Sequence, residues 1–266
     1  MRLICVGAHP DDCEIEFGGT AVKLAARGDA VKFLSMTNGE AGHHLYPGPK
    51  LAAIRKAEAE EAARRLGIAA AEVLDNPDGQ LIPSIEARFD VIRQIRAWEA
   101  DVVITHRPWD YHPDHRYTGQ LVQDSAYLVT VPHVCPETPA LRHNPVFLHL
   151  EDAFRSPVPF RADIAVDIGD VWERKLDGLD AHRSQVYEWL PWIASAGREK
   201  VPEDPAARRK WLDAAWTREP SACTRAVLAE RYGCGHAERV RHAEAFEISE
   251  YGRQLSGEEL EEMFPR

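Results

Sequence analysis

Residues 2–37 read RLICVGAHPDDCEIEFGGTAVKLAARGDAVKFLSMT, and this stretch decides the fold. Arg2 to Gly7 is a short apolar run, the length of a buried strand. Phe17 to Arg27 carries helical periodicity with Gly18 and Gly19 in its first turn, and Val31 to Met36 is a second apolar strand. Two such strands joined by a helix pair in parallel, because an antiparallel pair needs only a short turn. Where the first strand leaves the sheet stand His9, Pro10, Asp11 and Asp12.

The rhythm continues outward. Lys50 to Leu66 is an Ala- and Glu-rich helix stopped by Gly67, and Val73-Leu74 is a short strand. Ser84 caps a helix running to about Trp98, with Ile85, Phe89, Ile92 and Ile95 predicted inward, and Asp101 to Thr105 is a central strand. A helix is expected over 116–129, strands over 146–150 and 162–168, and a helix over 169–183. A helical excursion follows over 195–240, then a late strand over 243–248 and a surface helix in the acidic tail ending at Arg266. The fold class is α/β, a Rossmann-like parallel sheet flanked by helices with a C-terminal strand-and-helix extension. Residues 1–135 form the metal-binding catalytic core, and 136–266 complete the same domain, with the excursion shaping the substrate cleft.

Composition narrows the function. Of the 266 residues, 43 are acidic and 32 basic, a net charge of −11, which disfavours nucleic acid and anionic membranes as partners. No apolar run nears the roughly 20 residues that span a bilayer, and Met1 leads straight into a strand rather than a secretory signal. The five cysteines are odd in number and scattered, as expected of a cytoplasmic protein without a disulfide framework.

Ligands of open α/β sheets bind at the carboxyl ends of the strands. Here those ends carry His9, Asp11 and Asp12; Thr37, Asn38 and Gly39; Asp75, Asn76 and Asp78; and His106, Arg107, Asp110, His112, Asp114 and His115. A catalytic zinc takes three His or carboxylate ligands and keeps a position for water, so His9, Asp12 and either His112 or His115 form a set. Asp11, adjacent but unligated, is the natural proton acceptor, and a second imidazole suits the tetrahedral intermediate. Iron, cobalt or manganese would fit the same donors. A two-metal phosphoesterase using Asp11, Asp12, Asp78 and Asp114, and a non-catalytic sugar- or metal-binding module, are the alternatives. A dinucleotide site is disfavoured because Ala8-His9-Pro10 replaces the Gly-rich turn.

Taken together, Gly7-Ala8-His9-Pro10-Asp11-Asp12, Glu14, Gly18-Gly19-Thr20, Thr37-Asn38-Gly39-Glu40, Arg55, Pro77-Asp78-Gly79 and His112-Pro113-Asp114-His115 resemble the PIG-L/LmbE-like de-N-acetylases. The resemblance covers residues 2–130, and more loosely the remainder through Ala181-His182-Arg183-Ser184-Gln185. It implies a zinc-dependent amidohydrolase that removes acetate from an N-acetylglucosamine-type sugar or conjugate. Under it His9, Asp12 and His115 hold the metal, Asp11 is the base, and His112 stabilises the oxyanion or protonates the amine. Arg55, Asp78 and Asn38 become substrate contacts. The sequence departs from the family pattern at Cys13 and at Trp109-Asp110-Tyr111, leaving Tyr111 as the candidate to assist the intermediate. His182 has two readings: ordinary packing, or, as the resemblance implies, completion of a neighbouring subunit's substrate site in a homo-oligomer.

Other features carry weaker expectations. His43-His44 lie in a loop over the mouth, and Tyr187 to Trp192 offers rings suited to a sugar face, core or interface. Cys223, Cys234 and His236 fit no closed zinc spacing, and Arg208-Arg209-Lys210 reads as a solvated helix face.

Overall fold

In the computed structural model, which describes residues 1–197 and 200–264, β1 (Arg2–Gly7) is the axis of the sheet. Around it β2 (Ala30–Thr37), β3 (Ala70–Asn76), β4 (Val102–Thr105) and β5 (Val146–Leu150) run parallel in the order β3-β2-β1-β4-β5. The order reverses direction at β1, so the β1–β4 crevice is the topological switch point. The connections carry α1 (Asp12–Arg27), α2 (Gly48–Leu66), α3 (Ile85–Ala97) and α4 (Pro113–Ser125).

Alternation along β1 builds two cores. Leu3 and Cys5 face one side, with Phe17 and Leu24 of α1, Leu66 of α2 and Leu176 of α5 (Trp172–Ala181). Ile4 and Val6 face the other, with Val91, Ile92 and Ile95 of α3 and Leu121 and Val122 of α4. Each such side chain taken out of water contributes about 1.5–3 kcal/mol.

Two further strands extend the sheet beyond β5. The last in sequence, β7 (Ala243–Gly252), inserts between β5 and β6 (Ile164–Asp167) and is antiparallel to both. The sheet is therefore parallel over its first five strands and mixed at this edge. Ala243 to Ile248 alternates in the manner of a half-covered antiparallel strand, and the intervening helices give the chain room to return in the opposite direction. Those helices are α6 (Leu190–Ser195), α7 (Pro205–Trp216), α8 (Ala222–Tyr232) and α9 (Cys234–Ala237); α10 (Gly257–Met263) closes the description. Arg198 and Glu199, within the expected excursion, and Pro265 and Arg266, at the end of the expected tail helix, lie outside the described residues.

Two helices start earlier than their periodicity predicts. α1 begins at Asp12 rather than Phe17, and α4 at Pro113 rather than Arg116. Polar first turns look like loops by composition, yet carboxylates are favoured there by the free N–H groups, and proline suits the first helical position. The α3 helix is capped by Ser84 as expected, but Ile85 is 56% exposed and Ala87 and Val91 fill the inward stripe instead.

α4 lies close against the end of β4. A Cβ on Gly119 would sit 2.6 Å from the His106 carbonyl oxygen and 3.1 Å from the Arg107 carbonyl, both backbone atoms. Gly119→Ala should therefore destabilise the protein by about 1–3 kcal/mol, the cost of overpacking a filled interior, read as a lower denaturation midpoint with an unchanged slope.

Candidate active site

The two His/Asp clusters meet at the β1–β4 crevice. His9, Asp11 and Asp12 come from the β1–α1 turn; His112 and His115 come from the N-terminus of α4. Asp12 is pinned from one side: its Oδ2 accepts the backbone N–H groups of Ala8 and His9, each at 2.8 Å, and lies 3.1 Å from His106 Nε2. Its Oδ1 faces His115 Nε2 at 3.6 Å.

His9 Nδ1 is 3.1 Å from His115 Nε2 and 3.6 Å from the Asp12 carboxylate. Donors about 2.1 Å from a tetrahedral ion lie about 3.4 Å from one another; His9 Nδ1 meets Asp12 through Oδ2 and His115 Nε2 meets it through Oδ1, so the two rings and the carboxylate group have the spacing of ligands around one cation. The outer nitrogens face carboxylates. His9 Nε2 sits 3.0 Å from Asp78 and 3.5 Å from Asp114, as an ion pair rather than an aligned hydrogen bond. His115 Nδ1 is 3.2 Å from Asp110. Such partners fix which ring nitrogen points inward and raise its basicity.

The electrostatics also call for a cation. Burial alone would lower His9, yet Asp114, Asp12 and Asp78 hold it well above its ordinary range. Burial works against ionisation of Asp12, but His115 and His106 keep it well below the usual carboxylate range. Asp78, opposed by burial and drawn down by His9, lies at about 2. A divalent ion would neutralise the negative charge that His9 otherwise meets as a proton acceptor. Among the described residues three groupings have metal-ligand spacing: His9/His112/His115 and Asp12/His106/His115 share His115, while Asp78 and Asp114 of the third meet His9 through its outer Nε2. Asp78 and Asp114 also hold backbone N–H groups, of Ala41 and of Gly79 and Leu81.

Asp11 and His112 flank this cradle. Asp11 has φ 152°, a strained value for a residue with a side chain, and its Oδ1 accepts from Arg55 Nη2 at 2.9 Å. Burial pushes its carboxyl up, partly offset by Arg55. His112 caps α4: its Nδ1 accepts the Asp114 N–H at 3.2 Å, so its proton is assigned to Nε2. Burial and then His9 and His115 lower its pKa, favouring the neutral donor.

The other expected residues divide. Arg55 is 2% exposed, and besides Asp11 its guanidinium holds the carbonyls of Pro10 and Gly39. Its contacts are those of a positioning group; Gly39, at φ 68°, leaves no room for a Cβ beside it. Asp78 and Tyr111 line the cleft, with Tyr111 72% exposed and its ring edge-on to His112 and His115. Asn38 does not line it: its side chain bonds Asp75 and the Glu40 N–H. His182 is fully buried, 3.1 Å from Glu14, and is not among the residues that line the cleft. His106, expected at the strand end but given no role there, contacts Asp12 and stacks on His115 with ring centroids 4.2 Å apart. The signal was its place immediately after β4.

At the mouth, His44 stacks on Trp192 at 4.5 Å with planes 4° apart, and His43 pairs with Glu188 at 3.1 Å. Trp189 and Trp192 lie at the junction of a π-helical turn (Ser184–Trp189) and α6. The cleft of about 980 Å³ runs from the cradle past Trp189 to Trp211 and Trp216 of α7. Among the described residues Cys223, Cys234 and His236 form no grouping with metal-ligand spacing, and His236 pairs with Asp167 at 2.7 Å.

This fold and site define a Rossmann-like α/β protein with a candidate divalent-metal centre at its switch point. The family profile described as GlcNAc-PI de-N-acetylase, PIG-L, matches residues 4–126. The chain is 31% identical over 202 residues to the diacetylchitobiose deacetylase of Thermococcus kodakarensis, covering 72% of this chain and 74% of that protein. Its structure is similar to that of N,N'-diacetylchitobiose deacetylase from Pyrococcus horikoshii, with a TM-score of 0.68 and 28% identity over 93% of this chain and 83% of that one. The 4-carboxy-2-hydroxymuconate hydratase of Pseudomonas putida KT2440, at 20% identity, TM-score 0.70 and coverage of 97% and 99%, shares the fold alone. The chain belongs to the PIG-L family of de-N-acetylases.

Asp110 tests the role of the outer carboxylates. Asp110→Asn should weaken metal affinity about 10–100-fold in a chelator competition while the fold, read by circular dichroism, is kept.

Proposed function

We propose that the chain uses one zinc ion, held by His9, Asp12 and His115, to hydrolyse the acetamide of an N-acetylglucosamine-type sugar or conjugate, releasing acetate and the free amine. The observation that carries this reading is that His9 Nδ1 and His115 Nε2 lie 3.1 Å apart, each 3.6 Å from an oxygen of the Asp12 carboxylate, beside a second carboxylate, that of Asp11, which is not among them. When bound, zinc supplies Lewis acidity, polarising the acetamide carbonyl and bringing the pKa of water from 15.7 toward about 7.

The chain's own groups do the rest. Arg55 anchors one oxygen of Asp11, leaving the other to take the proton of the attacking water. His112 presents its Nε2–H to the oxyanion that develops as the carbonyl carbon becomes tetrahedral, and Tyr111 stands beside it at the cleft surface. The proton taken by Asp11, or that of His112, then passes to the departing nitrogen, since an amine leaves only when protonated. Asp78 and Asp110 orient His9 and His115.

The five free cysteines suit a reducing cytoplasm, and among the described residues no helix is long and apolar enough to cross a membrane. The test is acetate release from N-acetylglucosamine and N,N'-diacetylchitobiose with chelator and with zinc restored. Release should vanish with chelator and return with zinc. Asp11→Asn should lower kcat about 10²–10⁴-fold with zinc still bound in a one-to-one ratio. Loss of zinc in that variant would contradict the division between base and ligands, and zinc-independent release would contradict the metal's role.

A further inference from the structure

An ion pair from the far half of the chain is built into the hydrogen-bond ladder of α1. In an α-helix the Gly19 N–H points at the Ile15 carbonyl and the Thr20 N–H at the Glu16 carbonyl. Here those two N–H groups donate to the two oxygens of Glu244, at 2.8 and 2.7 Å. Lys175 Nζ completes the circuit, donating to Glu244 Oε1 at 2.7 Å and to the Ile15 carbonyl at 2.6 Å. The Ile15 carbonyl and the Gly19 N–H are thus joined through two side chains, an ammonium on α5 and a carboxylate on β7.

The place of this insertion matters. It falls directly after the first turn of α1, Asp12 to Ile15, which carries a proposed metal ligand. A side chain set into the ladder is one of the few causes that redirect a helix. Gly19 lets α1 come this close to its neighbours, since a Cβ there would sit 2.7 Å from Ile168 Cδ1. The same segment makes a second contact with the turn: His182, seven residues or two helical turns beyond Lys175, sets Nε2 3.1 Å from Glu14 Oε1.

Stability alone does not call for such a pair. Lys175 is 6% exposed and Glu244 4%, and taking both charges out of water costs about as much as their attraction returns. An apolar pair of similar volume would fill the space as well. It would not reach the N–H and C=O groups of a helix interior.

Resting on the reading of His9, Asp12 and His115 as a metal centre, we propose that Lys175 and Glu244 are positioning residues. By occupying the ladder at Ile15, Gly19 and Thr20 they set the orientation of the first turn of α1, and with it the Asp12 carboxylate against His9 and His115. Both lie outside residues 4–126, the span of the family profile, so a turn from the first half of the chain is aimed by the second half.

The test replaces the pair as a unit. Lys175→Met/Glu244→Met removes both charges at similar volume, leaving no buried charge unpaired and letting Gly19 and Thr20 bond within their own helix. The double variant should keep a denaturation midpoint near that of the wild type. In a chelator competition it should bind zinc about 3–10-fold more weakly, less than the roughly 10–100-fold of a group bonded to the ligand itself, because the pair acts through a turn of helix. In the metal-free chain the Ala8 and His9 N–H groups, held by Asp12 Oδ2, should exchange with solvent faster while the amides of β4 keep their rates.

Wild-type zinc affinity with unchanged exchange at Ala8 and His9 would overturn the proposal. Ile95→Ala, in the core on the other face of the sheet, should lower stability and leave zinc affinity alone; an equal loss of affinity there would assign the effect to general destabilisation and overturn the positioning role. Should the double variant not fold, Glu244→Gln keeps the size and one acceptor, and wild-type zinc affinity in it would overturn the proposal equally. Neither readout involves hydrolysis, so a chain that shows both changes and releases no acetate loses the deacetylase reading and keeps this one.

Discussion

The cradle depends on how the Asp12 carboxylate is divided. One oxygen is committed to the backbone N–H groups of Ala8 and His9 and to His106, which ties the end of β1 to the start of α1 and to the end of β4. The other oxygen is left facing His115. A carboxylate used in this way is both a structural staple and a donor. The anchoring oxygen holds the turn in the shape that points His9 Nδ1 inward and pushes Asp11 out of the donor set toward Arg55. Electrostatics follows from the same arrangement: a buried carboxylate between two imidazoles stays ionised, and the site keeps its demand for positive charge.

The sheet supplies the other half of the constraint. β1 and β4 are neighbours in register, Val6 opposite Thr105, so the residues that follow each strand leave the sheet side by side. His106 and, through the short connection to α4, His112 and His115 are delivered beside His9 and Asp12 by strand pairing. That the same fold is found in a hydratase at 20% identity shows that the scaffold leaves the reaction open; the donor set and its neighbours carry that information.

Much of this was legible in the sequence because it is local. The βαβ rhythm, the Ser84 cap, the Gly67 stop and the two His/Asp turns are each contained within a few residues. What was not legible depends on pairing between distant segments. The direction of β7 is set by where the chain re-enters the sheet, and the exposure of Ile85 by the stripe that begins one residue pair later at Ala87. Asn38 and His182 match family positions by type, yet one is used to shape its own turn and the other is sealed behind α1 against Glu14. Arg55, expected to meet sugar hydroxyls, lines the cleft and also holds Asp11, a partner that its sequence position does not reveal. In each case the residue type was informative and its partner was the missing fact.

The backbone at Asp11 places two demands on one position. At φ 152° a glycine would sit with less strain than any residue bearing a Cβ, so local conformational energy and the proposed role of proton acceptor pull in opposite directions there. A population of variants enriched only for tolerance to heat would drift toward losing this carboxylate, because nothing in resistance to unfolding rewards it. Under the proposed reading, an aspartate kept at this position would report selection on turnover rather than on endurance.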